Sequence, residues 1–273
     1  VGTVLLAFVV AAPDIAITRG GELDGEDHPY VGLMVAADIE DGEIVDGWRC
    51  SGTLISPTVF VTAGHCTDGL TPGEDSVFVW TQTDLEPDPS VYGYPFDFGG
   101  IASVTGTAYT HPLYVPSAFF LYDLGVVVLD EPIVVPRYAT LTEDGAIDEI
   151  GQGRKTAVVT AVGYGLQGAK RNDFSDDKTR FQADLFVVNT NGVAGIGGIK
   201  LPSDLPPTNS MIVSGDSKHG GTCFGDSGGP ALIGDTIVAV NSFGLNANCA
   251  GIGGMFRIDR DVELNWIKGF LGG

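Results

Sequence analysis

The chain has 273 residues, of which 44% are hydrophobic and 18% charged, as in a globular protein with one large domain or two small ones. Its 35 acidic and 14 basic residues give a net charge of −21, which argues against nucleic-acid partners and anionic membrane surfaces. The same charge makes copies of the chain repel one another and favours a soluble monomer.

The N-terminal residues 1–12, VGTVLLAFVVAA, form an uncharged apolar run. The run is too short to span a bilayer. It resembles the hydrophobic region of a secretory signal peptide, so we predict a secreted protein whose cysteines can oxidise. A buried strand is the alternative interpretation. No other segment has the length and apolar character of a membrane anchor.

Short apolar runs follow, rich in Val, Ile, Thr and aromatic residues and bounded by Gly, Pro or Asp. Strands at such spacing, separated by turn signals, predict an all-β sandwich or barrel. The predicted strands are 31–36, 52–55, 59–62, 76–80, 125–129, 157–162, 181–188, 211–213, 231–233 and 236–242.

Four other regions have a distinct composition. Apolar residues that repeat every four positions predict one amphipathic helix at 259–270. A composition shift at 137–153 indicates a connector between two halves. The polar segment 168–178 and the Gly- and Pro-rich segment 192–207 are predicted to be loops.

The four cysteines form an early and a late pair. None lies in a CxxC motif, so a zinc site is not indicated. Spacing alone leaves three pairings open among Cys50, Cys66, Cys223 and Cys249.

The sequence GDSGGP at 225–230 surrounds Ser227 with glycines. Glycines allow a sharp turn in which amide N–H groups point into one small space and stabilise an oxyanion. A serine nucleophile also needs a base, and the base needs an orienting acid. His65 is the penultimate residue of the segment VFVTAGHC (59–66), and Asp123 precedes an apolar strand, where a buried carboxylate requires a partner. A turn serine and a packed core histidine are the alternatives, and Asp130 is predicted to face solvent.

These segments resemble a known family. CSGTLISPTVFVTAGHC at 50–66, YDLGVVVL at 122–129 and GDSGGP resemble the histidine, aspartate and serine segments of chymotrypsin/trypsin-like serine proteases, in that family's chain order. The family usually has Ala where this chain has Gly64. The resemblance extends from about residue 17 to the C-terminus.

The resemblance implies an all-β fold of two six-stranded antiparallel β-barrels with a C-terminal α-helix and the site in the cleft between the barrels. It divides the chain into a signal-peptide remnant or short pro-segment (1–16), a barrel that carries the histidine and aspartate (17–140), and a barrel that carries the serine (141–273). It also implies the disulfides Cys50–Cys66 and Cys223–Cys249.

The resemblance implies the roles of the catalytic residues as well. Ser227 attacks the scissile carbonyl, His65 transfers the proton, and Asp123 orients the imidazole. The backbone N–H groups of Gly225 and Ser227 form the oxyanion hole. Ile17 becomes a new N-terminus, as in the family's zymogens, and its ammonium pairs with Asp226.

Substrate specificity is predicted from the same resemblance. The residues expected at the substrate site are Gly221, Thr222, Ser242, Phe243, Gly244 and Gly254. Gly221 leaves the pocket base uncharged, and Gly244 and Gly254 leave its walls open, which favours large apolar or aromatic P1 residues. Ser242 is also expected to hydrogen-bond the catalytic aspartate. The alternative is that Asp216 reaches into the pocket.

The remaining predictions concern other polar residues. His111 is expected to be structural, and His28 and His219 are expected at the surface. No cofactor or metal is predicted; a calcium ion near Asp68, Glu74 and Asp75 is a less favoured alternative to a solvated acidic loop.

We therefore predict a secreted serine endopeptidase, made as a zymogen, that hydrolyses protein and peptide substrates through an acyl-enzyme intermediate. Two alternatives stay open: a non-catalytic binding protein on the same fold, and an esterase that uses the same triad.

Overall fold

The computed structural model describes residues 21–40, 43–71, 76–85, 103–118, 120–150, 157–170, 173–175, 178–190, 192, 209–216, 219–246, 249 and 251–272. The predicted signal segment, Ile17, Glu74, Asp75 and nearly all of the predicted loop at 192–207 lie outside these residues.

The described chain is built almost entirely from β-strands. In chain order the elements are β1 (Glu22–Leu23), β2 (Val31–Glu40), β3 (Glu43–Ser56), β4 (Val59–Thr62), α1 (Gly64–Thr67), β5 (Ser76–Trp80), β6 (Val104–Thr110), a 3-10 helix (Pro116–Ala118), β7 (Gly125–Leu129), β8 (Thr140–Leu141), a second 3-10 helix (Ala146–Glu149), β9 (Val158–Gly163), β10 (Gly168–Lys170), β11 (Asp173–Ser175), β12 (Phe181–Asn189), β13 (Ser210–Ser214), β14 (Pro230–Ile233), β15 (Thr236–Gly244), β16 (Ile252–Arg257) and α2 (Asp261–Lys268).

Six antiparallel strands close the first barrel in the order β2-β3-β4-β7-β6-β5. Strands β4 and β7 pair in register from Val59↔Val128 to Thr62↔Gly125. Because they are antiparallel, the end of β4 lies beside the start of β7. The residues that follow β4 and those that precede β7 therefore meet at one rim of the barrel.

The second barrel is a ring of β9, β12, β13, β16, β15 and β14, closed by pairing of β12 with β9. The short strand β1 adds to β12, and β8 pairs in parallel with β15. Together with α2, the two six-stranded rings confirm the predicted fold class.

Two apolar clusters fill the barrels. The larger one occupies the first barrel and continues into the interface, where it includes Tyr164, Val240 and Phe256 from the second half. The smaller one fills the second barrel. Because one cluster extends across both halves, burial of apolar surface holds the barrels together.

A buried ion pair reinforces this interface. The guanidinium of Arg180 is fully buried and donates from Nε to Asp24 at 2.6 Å. The same group donates to the carbonyl oxygens of Val31 at 3.1 Å and Thr81 at 2.9 Å, both in the first barrel. Such a pair is stable when each charge has further hydrogen-bond partners, as Arg180 has here.

The predicted secondary structure agrees with most of the observed elements. All ten predicted strands overlap observed ones, and α2 lies within the predicted helix. The strands β6 and β16 were not predicted, because VTGTAYT and IGGMFR are interrupted by glycine. The prediction of a loop at 168–178 was wrong: β10 and β11 form a hairpin there, and Lys178 is buried.

Candidate active site

His65 and Asp123 meet where β4 ends and β7 begins. The backbone N–H of His65 donates to Asp123 Oδ1 at 2.8 Å, and His65 Nδ1 lies 2.9 Å from Oδ2. The single helical turn α1 orients the ring. Because Nδ1 donates to the carboxylate, the neutral ring has its free electron pair on Nε2, as a general base requires.

Ser242 completes the environment of the carboxylate. Its hydroxyl donates to Asp123 Oδ2 at 2.5 Å, and Asp123 has no exposed surface. Burial of the imidazole lowers the pKa of His65, but the hydrogen bond and negative charge of Asp123 outweigh it, so this pKa lies above its usual value. Asp123 therefore stabilises a protonated His65.

The turn that carries Ser227 has two glycines in the left-handed region, Gly225 with φ 96° and Gly228 with φ 78°. The carbonyl of Phe224 accepts a hydrogen bond from Leu166 N at 2.8 Å. Since C=O and N–H point in opposite directions across a trans peptide, the N–H of Gly225 points away from Leu166. Neither this N–H nor that of Ser227 donates to another group in the described part of the chain.

Contacts from the first barrel hold the Ser227 turn against the segment that leads into His65. The backbone N–H of Ser51 donates to the Ser227 carbonyl at 2.7 Å. A Cβ on Gly228 would lie 2.0 Å from Thr62 Oγ1 and 2.7 Å from Ala63 N, so the turn packs directly against the segment that leads into His65. The Ser227 hydroxyl makes no hydrogen bond within the described residues; it is half-exposed in the cleft.

Asp226 is buried behind the turn. Its carboxylate accepts hydrogen bonds from Gly165 N and Cys223 N, both at 2.8 Å. Burial raises the pKa of Asp226 to about 6, although these two bonds and the charge of Arg49 lower it. The carboxylate is close enough to Gly163 and Gly165 that a Cβ on either would collide with it at 2.4 Å.

A neutral cavity lies beside the serine turn. It is an open depression, and the roughly 300 Å³ of empty space in it includes open solvent. Among the described residues, its lining contains no charged side chain and consists of Leu185, Val213, Gly215, Gly221, Thr222, Gly244, Asn246, Cys249, Gly251, Ile252 and Gly253. A site of this kind accepts an apolar side chain without burying a charge.

The sequence matches the family model described as Trypsin over residues 21–267. The chain belongs to the trypsin family. This trypsin-family protein is 27% identical over 243 residues to a trypsin of Saccharopolyspora erythraea, covering 88% of this chain and 92% of the relative. The family assignment supports a peptidase role.

Solved structures share the fold at lower identity. HL collagenase is 18% identical with a TM-score of 0.66, covering 95% of this chain and 99% of that one. A scabies mite protein described as an inactivated protease paralogue is 17% identical with a TM-score of 0.63, covering 95% and 98%. Since the fold occurs in a protein described as inactivated, the fold alone does not establish activity.

Both disulfides implied by the resemblance are present in this trypsin-family protein, Cys50–Cys66 and Cys223–Cys249. The first joins β3 to the turn that holds His65. The second joins the serine loop to the cavity wall. Each covalent loop of this size typically contributes about 2–4 kcal/mol.

Three of the six residues predicted at the substrate site line the cavity; Ser242 instead donates to Asp123, and the ring of Phe243 packs over Gly254. Gly221, Thr222 and Gly244 line the cavity, whereas Gly254 does not. A Cβ on Gly254 would lie 2.1 Å from the ring of Phe243, so that glycine packs beneath the ring while its neighbour Gly253 faces the cavity. The β15–β16 pairing has a register shift between Asn241 and Phe243. Beyond this shift Phe243 lies opposite Gly254, and Gly244 lies opposite Gly253.

Asp216, the acidic residue predicted as the alternative for the pocket, pairs with His219 instead. Asp216 is exposed, and its Oδ1 lies 2.9 Å from Nδ1 of His219. His219 is half-buried rather than on the open surface, and so is His28, which contacts Asp24 at 2.5 Å. Asp130 is exposed, as predicted.

The other polar predictions concern metal sites. Asp68 is described and exposed, but its proposed companions Glu74 and Asp75 lie outside the described chain. Within the described residues, the only group with metal-ligand proximity is Cys50, His65 and Cys66. Both of these cysteines are oxidised to a disulfide, so they offer no thiolate.

The described residues also contain no helix that is long and apolar enough to cross a membrane.

Sequence reasoning missed Ser51, which links the barrels. Its hydroxyl donates to the Gly225 carbonyl at 2.8 Å and accepts from Tyr164 N at 2.9 Å. Its carbonyl accepts from Thr62 Oγ1 at 2.8 Å. A serine directly after a cysteine gives no signal in one sequence, because all these partners are distant along the chain.

Proposed function

We propose that this protein is a serine endopeptidase in which Ser227 is the nucleophile, His65 the general base and acid, and Asp123 the orienting carboxylate. One observation carries the proposal. The imidazole is fixed on Asp123 through Nδ1 at 2.9 Å, while the N–H groups of Gly225 and Ser227 stay unoccupied beside the serine.

The chemistry follows from these positions. His65 Nε2 takes the proton of the Ser227 hydroxyl as its oxygen attacks the substrate carbonyl. The N–H groups of Gly225 and Ser227 donate to the oxyanion that develops on the carbonyl oxygen. His65 then protonates the leaving amine, and water hydrolyses the acyl-enzyme by the same steps in reverse order.

We further propose a preference for large apolar or aromatic P1 residues. The cavity has an uncharged base at Gly221 and an open wall at Gly244. A basic P1 side chain would be desolvated there without a counter-charge, which is unfavourable. Asp216 supports this preference indirectly because it pairs with His219.

The setting in which the enzyme works is also a proposal. Two disulfides favour an oxidising compartment, which is consistent with secretion. The composition favours a monomer without a nucleic-acid partner. Activation would free the amine of Ile17 to pair with Asp226, whose carboxylate is buried behind the serine turn.

A fluorophosphonate probe tests the nucleophile. The protein should be labelled once per chain, and Ser227→Ala should abolish labelling while Ser214→Ala, on β13, should retain it. Absence of labelling in protein that starts at Ile17 would favour the non-catalytic alternative. Labelling with hydrolysis of simple esters but not of peptides would favour the esterase.

A peptide library then tests specificity. Cleavage should be concentrated after Phe, Tyr, Leu or Met. Dominant cleavage after Arg or Lys would refute the apolar-pocket proposal. N-terminal sequencing of the active secreted protein tests activation, because full activity from a start well before Ile17 contradicts the proposed pairing.

A further inference from the structure

Tyr122, which immediately precedes Asp123, has an unusual backbone conformation. Its φ is 54°, in the left-handed region that bulky side chains rarely occupy. Leu124 N donates to the Tyr122 carbonyl at 2.7 Å, so Asp123 is the central residue of a tight three-residue turn. The direction of the Asp123 carboxylate therefore depends directly on the conformation of Tyr122.

His111 holds this turn from two directions. Its backbone N–H donates to the Leu124 carbonyl at 2.9 Å. Its ring stacks on the ring of Tyr122 with centroids 5.2 Å apart and planes 3° apart. Phe256 contacts the Tyr122 ring from another side at 6.4 Å.

The His111 ring is itself rigidly placed. It is buried, and its Nδ1 accepts from Leu113 N at 3.3 Å, which fixes the tautomer with hydrogen on Nε2. Burial lowers the pKa of His111 to about 4, so the ring is neutral when it stacks. Trp266 on α2 packs edge-on against it at 4.9 Å and in turn contacts Phe270 at 5.1 Å.

We propose that His111 is a positioning residue for Asp123: its ring, supported by Trp266 of α2, holds Tyr122 in the left-handed conformation and thereby fixes the carboxylate on His65. This inference rests on the proposed peptidase function. It gives the C-terminal helix a part in catalysis without contact to substrate.

A shift in the pKa of His65 distinguishes positioning from simple stabilisation. Among the described residues, Asp123 is the charged group that raises this pKa, whereas burial lowers it. Burial and the negative charges of Asp123 and Asp68 raise the pKa of Tyr114, so this phenol stays neutral and adds no charge near the carboxylate. If Asp123 moves away, His65 stays half-buried but loses its counter-charge, so its pKa falls.

The test compares His111→Ala with His111→Phe, which keeps an aromatic ring in the stack. For His111→Ala we expect kcat to fall about 10- to 100-fold with KM nearly unchanged, as for misplaced catalytic groups. The pH at which kcat/KM falls to half of its maximum on acidification should be lower than in the wild type. His111→Phe should retain the wild-type pH profile and most of kcat.

Two controls make the test specific. Val159→Ala removes buried apolar volume from the second barrel. It should lower the urea concentration at the unfolding midpoint without changing the pH profile of kcat/KM. Tyr122→Asn introduces a residue that adopts positive φ more easily. In the Tyr122→Asn background, His111→Ala should have little further effect, because the stack is no longer needed.

The titration of His65 can also be followed by proton NMR through the hydrogen that it shares with Asp123, which requires no turnover. An inactive wild type would therefore refute the proposed function while still testing this inference. An unmoved His65 pKa in His111→Ala, or a His111→Phe variant as impaired as His111→Ala, would overturn it.

Discussion

Gly228→Ala tests how closely the serine turn fits against the first barrel. A methyl group at this position would lie 2.0 Å from Thr62 Oγ1, 2.6 Å from the Ser51 carbonyl oxygen and 2.7 Å from Ala63 N. Two of these three atoms belong to the backbone of paired or hydrogen-bonded segments, so they cannot move independently. The turn itself must shift.

The magnitude can be worked out in two parts. Alanine at φ 78° costs about 1–2 kcal/mol, since a Cβ is disfavoured in the left-handed region. Overpacking adds about 1–3 kcal/mol. We therefore expect the free energy of unfolding to fall by about 2–5 kcal/mol. Displacement of Ser227 should lower kcat by about 100-fold or more.

Gly234→Ala is the matched control. Gly234 has φ 60°, but a Cβ there would meet no atom within 4 Å. The Gly234→Ala substitution therefore has the backbone cost without the collision. Its free energy of unfolding should fall by only about 1–2 kcal/mol. Urea unfolding followed by tryptophan fluorescence gives the stabilities, and titration with a fluorophosphonate gives the fraction of reactive sites. Equal losses in the two variants, with full reactivity in both, would show that the turn does not pack as described.

The remaining predictions concern the interface, the cavity and the base. Arg180→Ala should cost about 3–5 kcal/mol because it removes the guanidinium partner of the buried Asp24 carboxylate, whereas Arg137→Ala, in an exposed pair, should cost less than about 1 kcal/mol by the same urea assay; similar losses would contradict the buried pairing. Gly244→Val should lower kcat/KM for substrates with P1 Phe at least about 10-fold more than for those with P1 Ala, since its side chain would project from the wall into the cavity. Equal losses would show that the P1 side chain binds outside this cavity. Activity should disappear as pH falls through the raised pKa of His65, above 6.5, because protonated His65 cannot accept the serine proton; a flat kcat/KM profile down to pH 5 would exclude this role.

The candidate site residues could be predicted from the sequence because they are concentrated in three short segments. VFVTAGHC contains both the strand β4 and the histidine that follows it, so the position of His65 follows from local order. Asp123 could be selected from 35 acidic residues because it stands at the start of an entirely apolar strand. Each of these signals lies within ten residues of the chain, where one sequence is informative.

Features that depend on distant partners could not be predicted in the same way. Asp24 and Arg180 are 156 positions apart, and neither segment suggests a buried ion pair. Gly254 was predicted for the cavity wall, where Gly253 lies. The register shift in β15 is a property of strand pairing and cannot be recognised in the local sequence. Gly64 is explained only by the structure, where a Cβ would lie 2.9 Å from Leu124 N.

The hydrogen bonds of Ser51 have a consequence for how the serine turn of this protein would lose its proposed reactivity. Each barrel closes its own ring of strands, yet the carbonyls of Gly225 and Ser227 are held by a residue of the opposite barrel. A hinge opening of only a few ångströms between otherwise folded halves would release both carbonyls. Inactivation by mild denaturant should therefore precede the loss of β-structure, and two separately produced halves should recover reactivity only upon docking.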